Sequence, residues 1–141
     1  MSNRHARRLA EVLVPISRLM RRHMQSKTFR PALSHMELHA LGVVWEQDGP
    51  LLRDLSHALS LTPSATSTLA NSLVKRDLLV RKPDPEDRRA LRLSLTRKGR
   101  AILEQKFEYM AEALELLTRT MPARDRQALI RLLASLTKSS S

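Results

Sequence analysis

The stretch Leu55-Ser56-His57-Ala58-Leu59-Ser60-Leu61-Thr62-Pro63-Ser64-Ala65-Thr66-Ser67-Thr68-Leu69-Ala70-Asn71-Ser72-Leu73-Val74-Lys75-Arg76 decides the fold, together with the change of rhythm that follows it. Leu55 and Leu59 mark the buried side of a short helix over roughly Leu52–Leu59. Thr62-Pro63 is a helix start, with a hydroxyl to cap the first free amides and a proline in the first turn. The helix it opens runs to about Arg76, with Leu69, Ala70, Leu73 and Val74 inward and Ser64, Ser67, Thr68, Asn71 and Ser72 on the other face. Two helices separated by Ser60, Leu61 and Thr62 have the lengths and spacing of a helix-turn-helix. Behind them the period falls from 3.6 to 2. Leu78–Lys82 is a short strand candidate, Pro83–Arg89 a proline-bounded loop, and Ala90–Leu95 alternates with its leucines on one face. Two strands and a charged loop directly after a helix-turn-helix describe a winged helix.

Outward from this centre the chain is helical. Leu9, Val12, Leu13, Ile16, Leu19 and Met20 recur at helical spacing, giving an amphipathic helix over about Arg7–Met24 that contains Pro15. Lys27–Pro31 reads as a loop. Ser34-His35-Met36-Glu37 fits a capping box with Leu33 and Leu38 as its staple. That helix carries Leu38, Leu41, Val44 and Trp45 inward, and Gly49-Pro50 stops it. Thr96 caps a long helix with Leu103, Phe107, Met110, Leu114 and Leu117 on one stripe, and Pro122 opens a last one before a Lys-Ser-Ser-Ser tail.

The 141 residues suit one domain, 1–141, mainly α with a small two-stranded β-wing. Within it, residues 33–100 form a winged-helix DNA-binding lobe, and 1–30 with 101–141 a helical dimerisation region. The outer helices hold more apolar surface than one small wing domain covers, which points to a second copy. Leu9, Leu13 and Ile16 of the first helix, and Leu129, Leu132, Leu133 and Leu136 of the last, are the residues expected in that interface.

Charge names the other partner. The formal balance is +11, and it is segregated: +7 over residues 1–30, −3 over 31–74, +6 over 75–100 and +1 over 101–141. Such an excess seeks a polyanion, nucleic acid or an anionic membrane. The longest uncharged run, Leu55–Val74, holds eight serines or threonines, too polar to span a bilayer. Arg4, Arg7 and Arg8 precede an apolar run as in a targeting signal, but Glu11 interrupts it and no small-residue cleavage site follows. The expected compartment is the cytoplasm. Cysteine is absent, so disulfides and thiolate chemistry are excluded. With glycine only at positions 42, 49 and 99, there is no phosphate-cradling loop, and no nucleophile–base constellation follows from spacing. Neither an enzyme nor a cofactor is expected.

In segment order and in particular strings the chain resembles the MarR family of bacterial transcription regulators over nearly its whole length. Leu33-Ser34 with Leu38 and Leu41 is similar to the family's second helix, and Leu55-Ser56 through Leu73 to its helix-turn-helix. Leu78–Arg81, Asp87-Arg88-Arg89 and Leu93-Ser94-Leu95-Thr96-Arg97-Lys98-Gly99 are similar to its wing. The resemblance implies a homodimer on a palindromic operator, often relieved by a small acidic or phenolic ligand. Two positions depart from the pattern. Asp77 stands where the turn usually has glycine, and Asp tolerates the left-handed conformation better than most residues. Thr68 and Ser72 stand where the recognition helix often carries arginine, which removes bidentate guanine readout from its centre.

The expected DNA contacts are Ser64, Ser67, Thr68, Asn71, Ser72, Lys75 and Arg76 on the helix and Arg88, Arg89 and Arg92 on the wing, with Asp87 holding the loop by pairing with a basic neighbour. For each set the bland alternative is a solvated surface. Arg18, Arg22 and Trp45 form a candidate pocket for a small aromatic or acidic ligand, although Trp45 also reads as plain core. His35 and His39 have a zinc-compatible spacing without a third ligand, so capping or packing is preferred and no metal is expected. The function expected is a double-stranded DNA-binding regulator of transcription, a repressor relieved by a ligand. The competing reading keeps the fold but makes it an architectural or protein-interaction module.

Overall fold

The computed structural model describes residues 3–26 and 32–138. Its elements are α1 (Asn3–Ser26), α2 (His35–Glu46), α3 (Leu52–Leu59), α4 (Pro63–Lys75), β1 (Leu79–Pro83), β2 (Leu91–Leu95), α5 (Arg97–Thr118) and α6 (Ala123–Lys138). The loop expected over Lys27–Pro31 and the last residues of the tail, 139–141, lie outside the described residues. The chain divides into two compact units, Phe29–Phe107 and Met1–Thr28 with Glu108–Ser141.

In the first unit local chemistry sets each boundary. The Ser34 hydroxyl accepts from the Glu37 amide (3.2 Å) while the Glu37 carboxylate accepts from the Ser34 amide (2.7 Å), so α2 starts on a complete capping box. Thr62 Oγ1 caps α4 through the Ala65 amide (3.2 Å), and Pro63 fills the first turn. Between α3 and α4, Ser60 takes a left-handed φ of 53°. Thr66, fully buried, then pins the two helices: its hydroxyl accepts from Ser56 Oγ (2.8 Å) and donates to the Thr62 carbonyl (2.9 Å). A buried hydroxyl left unpaired would cost roughly 1–3 kcal/mol; this one is satisfied twice. Asp77 ends α4 at φ 58°, and the Leu78 amide reaches back to the Leu73 carbonyl (2.9 Å).

β1 and β2 pair antiparallel, Leu79 opposite Leu95 and Arg81 opposite Leu93. The core joins Leu41 and Val44 of α2, Leu55 of α3, Leu73 of α4, and Leu78, Leu79 and Leu93 at the wing. A third segment, not visible as a strand in the sequence, joins the sheet's edge. Leu51 bridges Arg92, and the Leu93 amide donates to the Pro50 carbonyl (2.9 Å). The wing is thereby tied at its root to the turn between α2 and α3.

Thr96 caps α5 as expected, its Oγ1 accepting from the Gly99 amide (3.0 Å) and donating to the Asp77 carbonyl (2.6 Å). Gly99 lies so close to the end of α4 that a β-carbon there would stand 2.2 Å from the Leu78 carbonyl oxygen.

Some inward assignments differ from expectation. α2 buries Ala40, Leu41, Val43 and Val44, while Trp45 is 48% exposed and rests on Phe107 with ring centroids 5.1 Å apart. Val43, Val44 and Trp45 are three consecutive apolar residues, wider than one helical stripe, so one must face outward. On α5 the buried residues are Leu103, Tyr109 and Ala113, with Phe107 and Leu114 exposed.

In the second unit α1 is helical through Pro15 and extends beyond the expected ends. Its apolar face, Leu9, Val12, Leu13, Ile16 and Leu19, is exposed, and α6 buries none of its residues in the chain by itself. Leu132, for example, is 60% exposed. Among the described residues no helix is long and apolar enough to cross a membrane.

Candidate nucleic-acid interface

The exposed face of α4 is polar and uncharged until its last turn. Ser64, Thr68 and Asn71 are exposed, Ser67 and Ser72 half-buried, and Lys75 follows exposed. Thr68 Oγ1 donates to the Ser64 carbonyl (3.1 Å), which leaves its lone pairs outward. Such a face can enter a groove without desolvating a charge. Hydroxyl and amide groups then meet base edges or phosphates.

Ser72 and Arg76 are engaged elsewhere. Glu37 Oε1 accepts from Arg76 Nη1 (3.1 Å) and from Ser72 Oγ (3.4 Å), and Arg76 also donates to the Ala32 carbonyl. The carboxyl of Glu37 is held below its ordinary value, first by the Ser34 amide and then by the Arg76 charge, against the opposing effect of burial. Glu37 thus caps α2 and fastens it to α4 at once. Arg76, expected on the DNA side, is an ion-pair partner within the fold.

The wing loop consists of two successive turns in which a carboxylate accepts the amide two residues on. Asp84 Oδ1 takes the Glu86 amide and Asp87 Oδ1 the Arg89 amide, both at 3.0 Å. The Asp84 amide donates to the Ala90 carbonyl and the Ala90 amide to the Asp87 carbonyl, both at 2.9 Å, which closes the loop. Asp87 therefore shapes the loop through backbone, not through the ion pair expected of it. The pairing acid is Asp84, buried, 3.2 Å from Arg92. The Glu86 amide and, after it, Arg92 hold the Asp84 carboxyl below its ordinary range, with burial opposing them. Arg92 also donates to the Gly49 carbonyl (2.8 Å). It is thus a tie between the wing and the α2–α3 turn, and not the open DNA contact expected of it from its place in the wing.

Arg88 and Arg89 remain exposed at the loop. Arg89 also lines, with Arg53 and Arg81, an open cleft of about 400 Å³ floored by Leu51, Leu52 and Leu91. Arg53 and Arg81 were not singled out from the sequence. A period-2 reading of Leu79–Lys82 places Arg81 on the buried face with Leu79, and a charge at such a position is the signal that marks it.

The other expected sites fall in different places. Arg18 and Arg22 are exposed on α1, in the helical unit, and Trp45 belongs to the winged unit. Trp45 borders an open cleft of about 520 Å³ with Lys82, Ser94 and Arg100. Leu9, Leu13, Ile16, Leu132, Leu133 and Leu136 are all exposed large apolar residues on α1 and α6, and Leu129 is half-buried. His35 and His39 are exposed, and among the described residues no group of three or more His, Asp or Glu side chains could hold a metal ion.

Comparison with known proteins agrees with this architecture. The HTH-type transcriptional regulator YwhA of Bacillus subtilis is 24% identical over 96 residues, covering 68% of this chain and 69% of that protein. A MarR family protein from Bacillus stearothermophilus superposes with a TM-score of 0.73 at 19% identity, over 99% of this chain and 98% of that one. MepR of Staphylococcus aureus bound to ethidium bromide gives a TM-score of 0.69 at 22% identity, over 94% and 96% of the two chains. A variant of MepR bound to an oligodeoxyribonucleotide gives 0.64, also at 22%, over 94% and 98%. These structures share the fold. The MarR family model itself matches residues 33–91, the stretch from the capping box of α2 to the first residue of β2. Residues 33–91 of the winged unit thus match the MarR family model, and the chain is similar in sequence to an HTH-type transcriptional regulator.

Proposed function

We propose that the protein represses transcription from the cytoplasm, binding a palindromic double-stranded operator as a homodimer and releasing it when a small ligand binds. One observation carries the reading. The neutral polar face of α4 lies in one compact unit with a wing whose exposed arginines, Arg88 and Arg89, are presented on a loop braced by two carboxylate–amide turns. Ser64, Ser67, Thr68, Asn71 and Lys75 are the groove-facing set. Arg89 is suited to a narrow minor groove, whose concentrated negative potential favours arginine without base contacts. The exposed leucines of α1 and α6 support a second copy, since apolar faces of this extent are normally covered. MepR, bound to DNA in one structure and to ethidium in another, supports the ligand-relieved form of the proposal. Exposed Trp45 of the winged unit is the proposed contact for an aromatic effector, and exposed Arg18 and Arg22 of the helical unit are proposed partners for an acidic group. The activity is binding, not catalysis.

The test is affinity for the DNA upstream of the protein's own coding sequence against unrelated duplex, across a salt series. Preference for the upstream duplex is expected. With about six to ten phosphates neutralised, affinity should fall on the order of 10³–10⁵ between 50 and 200 mM salt. Equal affinity for both duplexes would favour an architectural module instead. Quenching of the single tryptophan by a panel of aromatic acids tests the effector.

A further inference from the structure

We propose that Arg81 is the positioning residue for base readout: it fixes the amide of Asn71 so that Asn71 turns its N–H donors to the DNA. The inference rests on the DNA-binding reading above and names a specificity determinant within it. Asn71 is exposed on the uncharged face of α4. A free asparagine offers either edge of its amide, oxygen or nitrogen, since a half-turn about the terminal bond interchanges them. Such a side chain reads bases poorly.

Arg81 removes that freedom. Its Nη2 donates to Asn71 Oδ1. The guanidinium has donors and no acceptor, so the atom it meets on the amide must be the oxygen. The flipped amide would set N–H against N–H. Strand geometry places the arginine there: Arg81 lies opposite Leu93 and shares its face of the strand with buried Leu79. Charge explains why it stays. Arg76 and Arg92 are held by the carboxylates of Glu37 and Asp84. The cleft around Arg81 instead adds two further cations, Arg53 and Arg89, and no acid lines it. The Asn71 amide is the neutral acceptor that Arg81 has, and a hydrogen bond with one charged partner is stronger than a neutral one.

The consequence is a choice of base. An amide locked with its nitrogen outward favours an edge rich in acceptors, guanine N7 and O6 or thymine O4. It disfavours cytosine, which offers the N4 donor.

The experiment selects a preferred site from randomised duplexes with the wild-type protein. It then measures affinity for that duplex and for each single base-pair replacement. The base pair whose discrimination collapses in Asn71→Ala is the one Asn71 reads. There the wild type should discriminate roughly 5- to 150-fold. Arg81→Met should bring that ratio toward unity and leave the other positions as they were. Arg81→Lys, still a donor, should retain most of it. In an Asn71→Ala background, Arg81→Met should change the ratio no further. Arg81→Gln, which releases the flip while keeping a polar side chain, serves if the Met variant does not fold. An Arg81→Met or Arg81→Gln protein with the wild-type ratio overturns the proposal. So does a uniform loss on every duplex with a salt slope shallower by about one phosphate, which marks a plain backbone contact. A wild-type protein that selects no site at all overturns the sequence-specific reading, and this inference with it.

Discussion

Replacing Gly99 by alanine adds one methyl group at the tightest approach in the fold. The new carbon would lie 2.2 Å from the Leu78 carbonyl oxygen and 3.1 Å from its carbon. Ordinary contact needs about 3.5 Å, so α5 and the end of α4 must separate by roughly 1 Å. Leu78 cannot yield freely. Its side chain is fully buried, its amide is bonded to Leu73, and its carbonyl accepts from the Thr96 amide (3.2 Å). Overpacking of this kind costs about 1–3 kcal/mol, and loss of the Thr96 bond about 1 more. Better helix propensity returns up to about 1 kcal/mol. The net loss of about 1–3 kcal/mol should lower the melting temperature by roughly 3–10 °C, taking about 2.1 cal/mol/K of unfolding entropy per residue. Gly42 provides the control. It lies within α2, and a β-carbon there meets nothing within 4 Å. Gly42→Ala should stabilise by about 0.5–1 kcal/mol. Thermal unfolding at one fixed protein concentration reads both. A Gly99→Ala protein that melts at or above the wild-type temperature would refute the reasoning, because α5 would then not be seated rigidly against Leu78.

Three further outcomes are expected. Leu132→Asp, on the exposed apolar face of α6, should cost the dimer about 2 kcal/mol or more and yield monomers in sedimentation at micromolar concentration, with tight DNA binding lost. A wild-type chain that sediments as a monomer would end the dimer reading. Arg89→Ala should cost about 1–3 kcal/mol on operator and scrambled duplex alike. Asp87→Ala should also weaken binding, through loss of the turn that sets Arg89, although it removes a negative charge. Tighter binding by Asp87→Ala would show that charge outweighs loop shape. The carboxyl of Glu37 is lowered in the fold from an ordinary value of 4.5, so its contribution is complete above that value and lost as pH falls through the lower, folded one. Melting curves of wild type and Glu37→Gln should therefore differ at neutral pH and converge in acid, and a constant gap would contradict the linkage.

The helix-turn-helix and the wing were legible in the sequence because their signals are local. A Thr-Pro start, a capping box and a switch of period are each complete within a few residues. The expected winged lobe, its strand order and the cap at Thr96 depend on nothing remote. What escaped reading depends on register or on distance along the chain. Asp84 and Asp87 are equally placed for a loop ion pair by composition. Only the pairing of Pro83 with Leu91 and Lys82 with Arg92 brings Asp84 to Arg92. Arg76 looked like one more cation in a basic block, because Glu37 is 39 residues away in sequence. Trp45 reads as inward from sequence since Val43, Val44 and Trp45 are all apolar, and hydrophobicity does not say which of several neighbours faces out. Gly99 was visible as part of a string, but its reason, contact with a carbonyl 21 residues earlier, is tertiary.

The root of the wing has a mechanical meaning. Gly49 and Pro50 carbonyls hold Arg92 and Leu93, and the α4 terminus is bolted to α5 through Asp77, Leu78 and Thr96. A hinge requires a segment that can change its torsions cheaply, and these bonds close off both flanks of the hairpin. Each reading head is therefore a stiff jaw. In the proposed two-fold pair of such jaws, a signal would act through their gauge, the span between one recognition helix and the other, set against the helical repeat of DNA at about 34–36 Å. The proposed ligand would then need to disturb no DNA contact to break the fit; it would have only to reset the caliper.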